Sequence, residues 1–544
     1  MSAPRAGLVV AGQVVVAAEP DGLETVEAVG ISGDRVVTAG TRADVTDAAA
    51  RGARVVDAGD AAIVPGLHDF HIHLVGLARA RSAISLDSAA DGAAVVARLA
   101  AAARAGAEDA WLTGRGWSER QMAGVDPTAL DAAAGERLAF LTSHDGHSAW
   151  ASARARRLAG LEAATDDPPG GRLERDARGE PTGVLRETAM DLVAPLVTRA
   201  QGSALRADLD ATLRELAGLG LTGASEAGDY TDANGTGTDA AFGDSYSTLA
   251  DLGDLLDGRL RMTLGIPADA IPAAAASGRR TGAPMEGRRT LRFGWAKEYS
   301  DGALGSGTAA LFEPRTCGTP DAGILRVSAD ELDALFAAGR SAGIGLAVHA
   351  IGDRAAAAVL DGVERAPARP AETPNDRMEH AQLLRQHEVD RFGRLGVTAS
   401  IQPIHAAADR DLVEACWDGR QHGAYAWRAL RAAGVHLAAG SDAPVESVNP
   451  WLGIFAAVHR RLPGDAGDDW RAAQSLTVIE ALSAYTLGPA RALGVADEGH
   501  LRPGARADLA VLNVDLGTLL AADDRLAEVR AEVTVVDGVD VPTA

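Results

Sequence analysis

The chain has 544 residues, of which 47% are hydrophobic and 23% are charged. It is long enough for one elaborated domain with an accessory unit, and it has ample apolar material for a core. With 52 Lys and Arg against 75 Asp and Glu, the formal net charge is -23. This balance disfavours binding to nucleic acid or to an anionic membrane surface, because both require a basic patch.

Two features bear on the compartment of the protein. Cys317 and Cys416 are far apart and share no C-x-x-C spacing, so a disulfide framework or a cysteine zinc site is not expected. The apolar run 7–18 resembles the core of a signal peptide, but Gly12-Gln13 divides it and an acidic turn follows at 19–21. We therefore predict a β-hairpin, a cytoplasmic protein and no transmembrane helix.

The sequence contains two kinds of region, one with a β-strand pattern and one in which helices and strands alternate. Residues 1–62 alternate apolar and polar positions between Gly and Asp turns, which predicts a small β-sheet unit, and β-like segments return from about 495. Between them, Ala- and Leu-rich helical segments alternate with short strands, which is typical of parallel β/α units. The predicted strands lie near 213–224, 291–297, 345–349, 377–380, 398–402 and 435–441. An Ala- and Arg-rich segment at about 85–200, with a helix at 93–105, is interpreted as an insertion.

The segment VPGLHDFHIHL (64–74) contains a candidate metal site. A β-like stretch at 61–64 leads into it, and His71 and His73 are spaced so that both side chains lie on one face of an extended chain. Two neutral imidazoles side by side suit a divalent ion, although two histidines on a polar strand face would give the same pattern. His68 would face away from this pair and is left out of the ligand set.

Further ionisable residues follow later predicted strands, as catalytic groups do in a β/α barrel. They are Lys297, His349, His380 and Asp442. A lysine ammonium would repel metal ions, but a lysine carbamylated by carbon dioxide would be an anionic bridge between two of them. Simpler alternatives are strand-end histidines, an ion pair of Lys297 with Glu298, and a helix N-cap at Asp442.

Taken in order, these segments resemble the amidohydrolase superfamily, and within it the family 3 branch of N-substituted formamide deformylase-like proteins. The resemblance rests on VPGLHDFHIHL (64–74), SHDGHSAW (143–150), GEPTGVLRE (179–187), KEYSDGALGSGTAAL (297–311), LAVHAIGDRA (346–355), RMEHAQLL (377–384), GSDAPVESVNPWLGI (440–454) and GHLRPGARADLAVLN (499–513). These blocks extend over nearly the whole chain.

The resemblance implies an α/β fold, a distorted (β/α)8 TIM barrel carrying a small β-sandwich built from both chain termini. The expected division is 1–62 with 491–544 for the sandwich and 63–490 for the barrel, which includes the inserted α/β segment. One metal would be bound by His71 and His73, and a second by His349 and His380. Carbamylated Lys297 would bridge them, and Asp442 would be both ligand and proton shuttle. The expected ions are one or two zinc, with iron or manganese as alternatives.

Other residues are assigned to substrate by the same resemblance. His147 could donate a hydrogen bond to the oxyanion of the transition state. The remaining candidates for the mouth of the site are Arg115, Trp117, Asp301, Gln402 and His405. Asp353 could orient His349 from behind. The sequence departs from the family pattern at Ser225-Glu226, near a predicted strand end, and this departure predicts a different substrate preference.

The predicted function is metal-dependent hydrolysis of a C–N bond in a small-molecule substrate such as an N-substituted formamide, an acyl amide or a cyclic amide. A mononuclear deaminase or an esterase on the same barrel is the first alternative. A non-catalytic binding protein that kept the barrel is the second, although none of the six candidate ligands is missing. A homodimer is the expected assembly, because it is the commonest one.

Overall fold

The computed structural model describes residues 5–105, 110–197, 202–228 and 242–543. Both ends of the chain contribute to one continuous seven-stranded sheet, the terminal sheet, in the order β21-β20-β19-β4-β1-β2-β3. Its strands are β1 (Ala6–Glu19), β2 (Gly22–Ser32), β3 (Arg35–Gly40), β4 (Ala49–Pro65), β19 (Leu509–Asp515), β20 (Ala531–Val536) and β21 (Val539–Val541), with helices α1 (Arg42–Asp47) and α20 (Leu516–Ala521).

The N-terminal hairpin differs in one detail from its prediction. Residues 7–18 do not form two strands divided at Gly12-Gln13, since β1 is a single strand. Its pairing with β2 is irregular between Ala11 and Val14. The predicted turn at 19–21 is present, since β1 ends at Glu19 and β2 begins at Gly22.

A second sheet, the inserted sheet, follows the first barrel unit in the order β10-β11-β9-β8-β7-β6. Its strands are β6 (Ile84–Ser85), β7 (Leu112–Trp117), β8 (Ala139–Ser143), β9 (Ser148–Ala151), β10 (Gly171–Arg175) and β11 (Pro181–Glu187), with helices α3 (Gly92–Ala105), α4 (Glu119–Met122), α5 (Pro127–Ala134) and α6 (Ala153–Leu158). Its apolar residues form clusters of their own, apart from the barrel core.

The central element is a nearly closed barrel of eight parallel strands, so the predicted (β/α)8 class is confirmed. The strands are β5 (Leu67–Ile72), β12 (Leu221–Glu226), β13 (Arg261–Pro267), β14 (Leu291–Tyr299), β15 (Leu346–Ala350), β16 (Arg377–His380), β17 (Thr398–Ile401) and β18 (Leu437–Ala439). The helices of this region are α2 (Leu74–Ala80), α7 (Gly202–Gly218), α8 (Asp244–Asp251), α9 (Gly253–Leu256), α10 (Ile271–Ala276), α11 (Ala329–Ala342), α12 (Asp353–Arg365), α13 (Gln386–Leu395), α14 (Pro403–Ala408), α15 (Arg410–Cys416), α16 (Trp427–Ala432), α17 (Pro450–His459), α18 (Val478–Tyr485) and α19 (Leu487–Leu493).

Three strand predictions need correction. Strand β13 was missed, and residues 213–218 belong to α7 rather than to a strand. The segment 61–64 lies in β4 of the terminal sheet, so the strand that carries His71 is β5, which begins after a break at Gly66. Gly66 is required there, since a Cβ at this position would lie 2.0 Å from the Thr222 hydroxyl.

The lower end of the barrel is joined to the terminal sheet by buried ion pairs. Arg261, at the start of β13, lies 2.9 Å from Asp508 and 2.6 Å from Asp537, both of which flank strands of the terminal sheet. Arg292 at the start of β14 pairs with Glu498 at 2.5 Å. Removing one member of such a group leaves an uncompensated buried charge, so these pairs fix the sheet to the barrel.

The cysteine prediction is wrong. Cys317 and Cys416 form a disulfide across a sequence separation of 99 residues. It joins the long loop after β14 to the end of α15, two segments that the sequence gives no reason to pair. Separately, among the described residues no helix is both long and apolar enough to cross a membrane.

Candidate metal centre

The upper end of the barrel brings His71, His73 and Asp442 together. His71 is in β5, His73 follows its last residue, and Asp442 follows β18 at the other side of the barrel seam. Two backbone hydrogen bonds close this seam, from Asp442 N to His71 O at 2.7 Å and from His73 N to Ala443 O at 2.8 Å. As a result, Asp442 Oδ1 lies 3.2 Å from His71 Nε2 and 3.1 Å from His73 Nε2.

Each of these imidazoles is oriented through its other nitrogen. His71 Nδ1 contacts the buried carboxylate of Glu379, whose second oxygen lies 2.5 Å from Arg377 Nε. His73 Nδ1 lies 2.5 Å from Gly228 O. Although burial opposes ionisation, Arg377 and His71 lower the pKa of Glu379 to about 2. Such partners fix the tautomer with Nδ1 as donor, so both Nε2 lone pairs are available for a cation.

A second group of potential ligands includes His405, beside the predicted ligands His380 and Asp442. Asp442, His380 and His405 each offer an atom within 4.8 Å of the others, and His405 Nε2 lies 3.3 Å from Asp442 Oδ2. His349 lies beside His380, with ring centroids 4.5 Å apart, but its Nε2 is 3.0 Å from Gly302 O. His405 was predicted as a substrate residue; the structure places it among the closest potential ligands.

Backbone strain accompanies this geometry. His380 has φ 70° and Asp442 has φ 62°, a region that residues with a side chain seldom adopt. Strain of this kind persists only where the surrounding structure enforces it, and it is concentrated at functional sites. The two residues share one cavity.

Lys297 reaches the same cavity from β14. Its ammonium group is buried, its Nζ has no hydrogen-bond partner among the described residues, and it lies 4.6 Å from the centroid of the Tyr299 ring. Burial lowers the pKa of Lys297 to about 8, although Glu379 and Asp442 act in the opposite direction. A sizeable neutral fraction near physiological pH follows, and a neutral amine is the form that reacts with carbon dioxide.

The side chains fit a divalent metal. Within the described part of the chain, His380 Nδ1 and Lys297 Nζ are buried without a hydrogen-bond partner, and the buried Nε2 atoms of His71 and His405 face the Asp442 carboxylate. Buried polar atoms are normally satisfied, so such a cluster needs a ligand. Imidazole and carboxylate donors suit zinc and also iron or manganese. His71, His73, His380, His405 and Asp442 would hold such an ion.

His147 lies at the tip of the β8–β9 turn of the inserted sheet and reaches the barrel centre. Its ring centroid is 5.1 Å from that of His349, and its Nδ1 lies 3.0 Å from Glu187 Oε2. Burial lowers the pKa of His147, but the Glu187 carboxylate outweighs it and the net shift is upward. A protonated imidazole bonded to Glu187 through Nδ1 can donate its Nε2–H to a substrate oxygen.

Two chambers meet at the potential ligands and are separated by the turn 143–147. The smaller, of about 260 Å³, is called the apolar chamber and is lined by Phe140, Met190, Ala194, Val197, Tyr299 and Lys297 among others. The larger, of about 440 Å³, is called the acidic chamber and is lined by Glu119, Gln382, His405, Asp409, Asp411 and Glu446 among others.

Two of the predicted substrate residues line a chamber, and two others line neither. Arg115 lines the apolar chamber, and Trp117 lines the acidic one with its indole donating to Leu141 O at 2.7 Å. Asp301 and Gln402 line neither chamber. The Asp301 carboxylate accepts hydrogen bonds from Ala310 N, Ile351 N and Gly352 N at 2.8 to 3.0 Å, and it thereby anchors the loop beneath His349. The amide of Gln402 donates to Ser400 at 3.3 Å.

Asp353 lies apart from its predicted position, and the predicted effect of the Ser225-Glu226 departure on substrate preference stays a prediction. Asp353 does not orient His349; its carboxylate accepts from Phe312 N at 3.1 Å and so fixes the loop after β14. Glu226, in the segment that departs from the family pattern, does not line either chamber. Its carboxylate accepts from Leu74 N at 2.8 Å, directly after His73, so it supports a ligand instead of contacting substrate. His68 points away as predicted, with its Nε2 2.9 Å from Ser225 Oγ.

Sequence comparison agrees with this architecture. A model of the amidohydrolase family matches residues 54–542. The chain belongs to this family. It is therefore a hydrolytic enzyme of the amidohydrolase type, which acts on carbon–nitrogen bonds. The predicted family and enzyme class are confirmed.

Individual relatives are similar over almost the whole amidohydrolase chain. The putative amidohydrolase YtcJ of Bacillus subtilis is 31% identical over 88% of this chain and 88% of its own length. N-substituted formamide deformylase of Arthrobacter pascens is 28% identical over 94% of each chain. The crystal structure of an uncharacterized metal-dependent hydrolase from Pyrococcus horikoshii has a TM-score of 0.74 at 24% identity, covering 95% of this chain and 99% of that one, and it supports the fold.

Proposed function

We propose that this amidohydrolase uses a divalent metal centre to hydrolyse the C–N bond of a small amide, such as an N-substituted formamide, an acyl amide or a cyclic amide. The observation that carries this proposal is the convergence of His71, His73, His380 and His405 on the Asp442 carboxylate, beside the unpaired buried amine of Lys297. When bound there, the metal would supply a hydroxide nucleophile at neutral pH and polarise the scissile carbonyl.

The side chains of the protein have separate tasks in this reaction. Asp442 accepts the proton of the attacking water and returns it to the leaving nitrogen, for which its position between His71, His73 and His405 is suitable. His147, held by Glu187, donates a hydrogen bond to the carbonyl oxygen as negative charge develops on it. Because Asp442 and His147 are buried, both interactions are stronger than they would be in solvent.

Lys297 decides between a binuclear and a mononuclear centre. Its buried, unpaired amine and a pKa of about 8 favour carbamylation, which would give an anionic bridge where an ammonium would repel a cation. The grouping of His380 with His405 and Asp442 supports a second ion position beside the one at His71 and His73. A mononuclear deaminase is the second candidate, and it requires an unmodified lysine.

The test combines metal content, lysine chemistry and turnover. Protein purified without chelator is analysed for bound zinc, iron and manganese, and the native mass is measured with and without added bicarbonate. We expect one to two ions per chain, a carbamate on Lys297, and hydrolysis of at least one member of a panel of N-substituted formamides, acyl amides and lactams.

Two outcomes would contradict the proposal. A metal-free protein whose amide turnover is unaffected by His71→Ala excludes the metal mechanism. One ion with an unmodified Lys297, together with turnover of amino-substituted heterocycles and of no amide, favours the deaminase. Neither Lys297→Met nor Lys297→Arg can be carbamylated, but only Lys297→Arg keeps the positive charge. Comparing the two variants separates the loss of the carbamate from the loss of the charge.

A further inference from the structure

The two chambers differ in chemistry although they share the catalytic centre. Alkyl and aromatic side chains such as Phe140, Met190 and Val197 line the apolar chamber, and its charged side chains include Arg79 and Arg115. Carboxylates line the acidic chamber, where Asp87 pairs with Arg115 at 3.5 Å and Glu119 pairs with Arg186 at 2.8 Å. Glu446 and Asp411, in contrast, have no Lys or Arg partner among the described residues. His144 is the one imidazole shared between Asp87 at 3.0 Å and Glu446 at 3.3 Å, and Asp411 has no ion pair among the described residues.

A neutral side chain adds an independent indication. Gln382 lines the acidic chamber, is only 2% exposed, and has an Oε1 without a hydrogen-bond partner among the residues described. A buried amide oxygen left unpaired in a cavity requires an N–H or O–H donor from whatever fills that cavity. The carboxylates and the Gln382 acceptor therefore select for the same kind of ligand, one that is cationic and rich in donors.

The orientation of Asp442 indicates which part of the substrate enters the acidic chamber. Its Oδ1 faces His71 and His73, whereas its Oδ2 lies 3.3 Å from His405 Nε2, which lines the acidic chamber. The proton that Asp442 returns to the leaving nitrogen is then delivered on the side of the acidic chamber. The amine half of the amide lies there, and the acyl half lies in the apolar chamber.

We propose, resting on the proposed function, that the substrates are N-acyl diamines: an apolar acyl group fills the apolar chamber and a second, protonated amino group binds among Gln382, Asp411 and Glu446. Water adds to the carbonyl carbon as the C–N bond breaks. The products are a carboxylate and a diamine, whose released nitrogen carries the proton passed on by Asp442.

Three matched amides test the proposal with the metal-loaded enzyme. They are N-hexanoyl-diaminobutane, its neutral analogue N-hexanoylpentylamine, and its anionic analogue N-hexanoyl-γ-aminobutyrate. We expect kcat/KM for the cationic compound to exceed that for the neutral one by about tenfold or more, and the anionic compound to be the poorest. The preference is expected to weaken as salt is added.

Variants localise the effect. Asp411→Asn and Glu446→Gln are each expected to lower the cationic-over-neutral preference by about fivefold. The matched control is Asp390→Asn, an exposed carboxylate on α13 that lines neither chamber, and it should leave the preference unchanged. A neutral compound that is hydrolysed as well as the cationic one overturns the inference while leaving the proposed hydrolase intact.

Binding separates the two proposals if nothing is hydrolysed. Isothermal titration of the three compounds into the metal-loaded enzyme measures affinity without turnover. Tighter binding of the cationic compound, lost in Asp411→Asn, supports the chamber assignment while contradicting the amide hydrolase. Equal affinities in the absence of turnover contradict both.

Discussion

The two ends of the barrel differ in how their buried charged and polar side chains are paired. At the lower end, Arg261 and Arg292 each lie within 3.5 Å of a carboxylate, and the group ties the barrel to the terminal sheet. At the upper end, the buried nitrogens of Lys297 and His380 have no partner among the described residues. Arginines paired with buried carboxylates stabilise the fold, whereas a cluster of buried nitrogens without a partner beside a cavity indicates a place where a ligand binds.

The largest expected effect is at the upper end. Asp442→Asn removes the group that transfers the proton, so kcat/KM on the best amide should fall at least about 10³-fold, equivalent to about 4 kcal/mol. Circular dichroism should show an unchanged fold, and Asp390→Asn is the control for loss of a carboxylate. If the Asp442→Asn variant kept more than a tenth of the activity, the assigned role would be excluded.

At the lower end the expected effect is on stability. Arg261→Leu leaves Asp508 and Asp537 without their cation in a buried position, and the free energy of unfolding should fall by about 3–5 kcal/mol. Denaturant unfolding measures it. The control is Arg206→Leu, whose pair with Asp254 is exposed and screened by solvent, so its loss should hardly change the free energy of unfolding. Similar losses for both variants would contradict the contrast between the two ends.

The disulfide has one cysteine in the helix that contributes Asp411 to the acidic chamber, although neither cysteine lines the chamber. It holds the end of α15, which contributes Asp411 to that chamber, against the loop after β14. Because it closes a loop of about 100 residues, its loss should reduce stability by about 2–4 kcal/mol. The melting temperature with and without reductant measures the effect, and Cys317→Ser should show no further response to reductant.

The smallest expected effect is a shift in pH dependence. Glu187 raises the pKa of His147, so the donor form of His147 persists to higher pH and is lost as the pH rises through that value. Glu187→Gln removes this support, and the alkaline limb of the kcat profile should move to lower pH, with about tenfold less activity at its former midpoint. His144→Gln is the control for a nearby imidazole. An unchanged limb would assign that limb to another group.

The sequence predicts best where chemistry and strand periodicity coincide. The six barrel strands that were found each have a polar residue at or just after their predicted end, whereas β13 ends at Pro267 and was missed. The candidate ligands His71, His73 and Asp442 were identified by type and order, but the hydrogen bonds that join them across the seam depend on barrel closure. The roles of Glu379 and Gln382 could not be predicted, because their burial beside the centre comes from tertiary packing. The Cys317–Cys416 pair was missed for the same reason.

The pairing of β4 with β19 also has a consequence for the order of folding. Pro65 pairs with Leu509, only two residues before β5 begins, and β19 in turn pairs with β20. During synthesis, the segment that carries the first two histidines emerges early, yet its supporting sheet cannot be completed until residues 509–536 have left the ribosome. Assembly of the centre is therefore a late event, and a chain shortened at its C-terminus would lose the centre before it lost the inserted sheet.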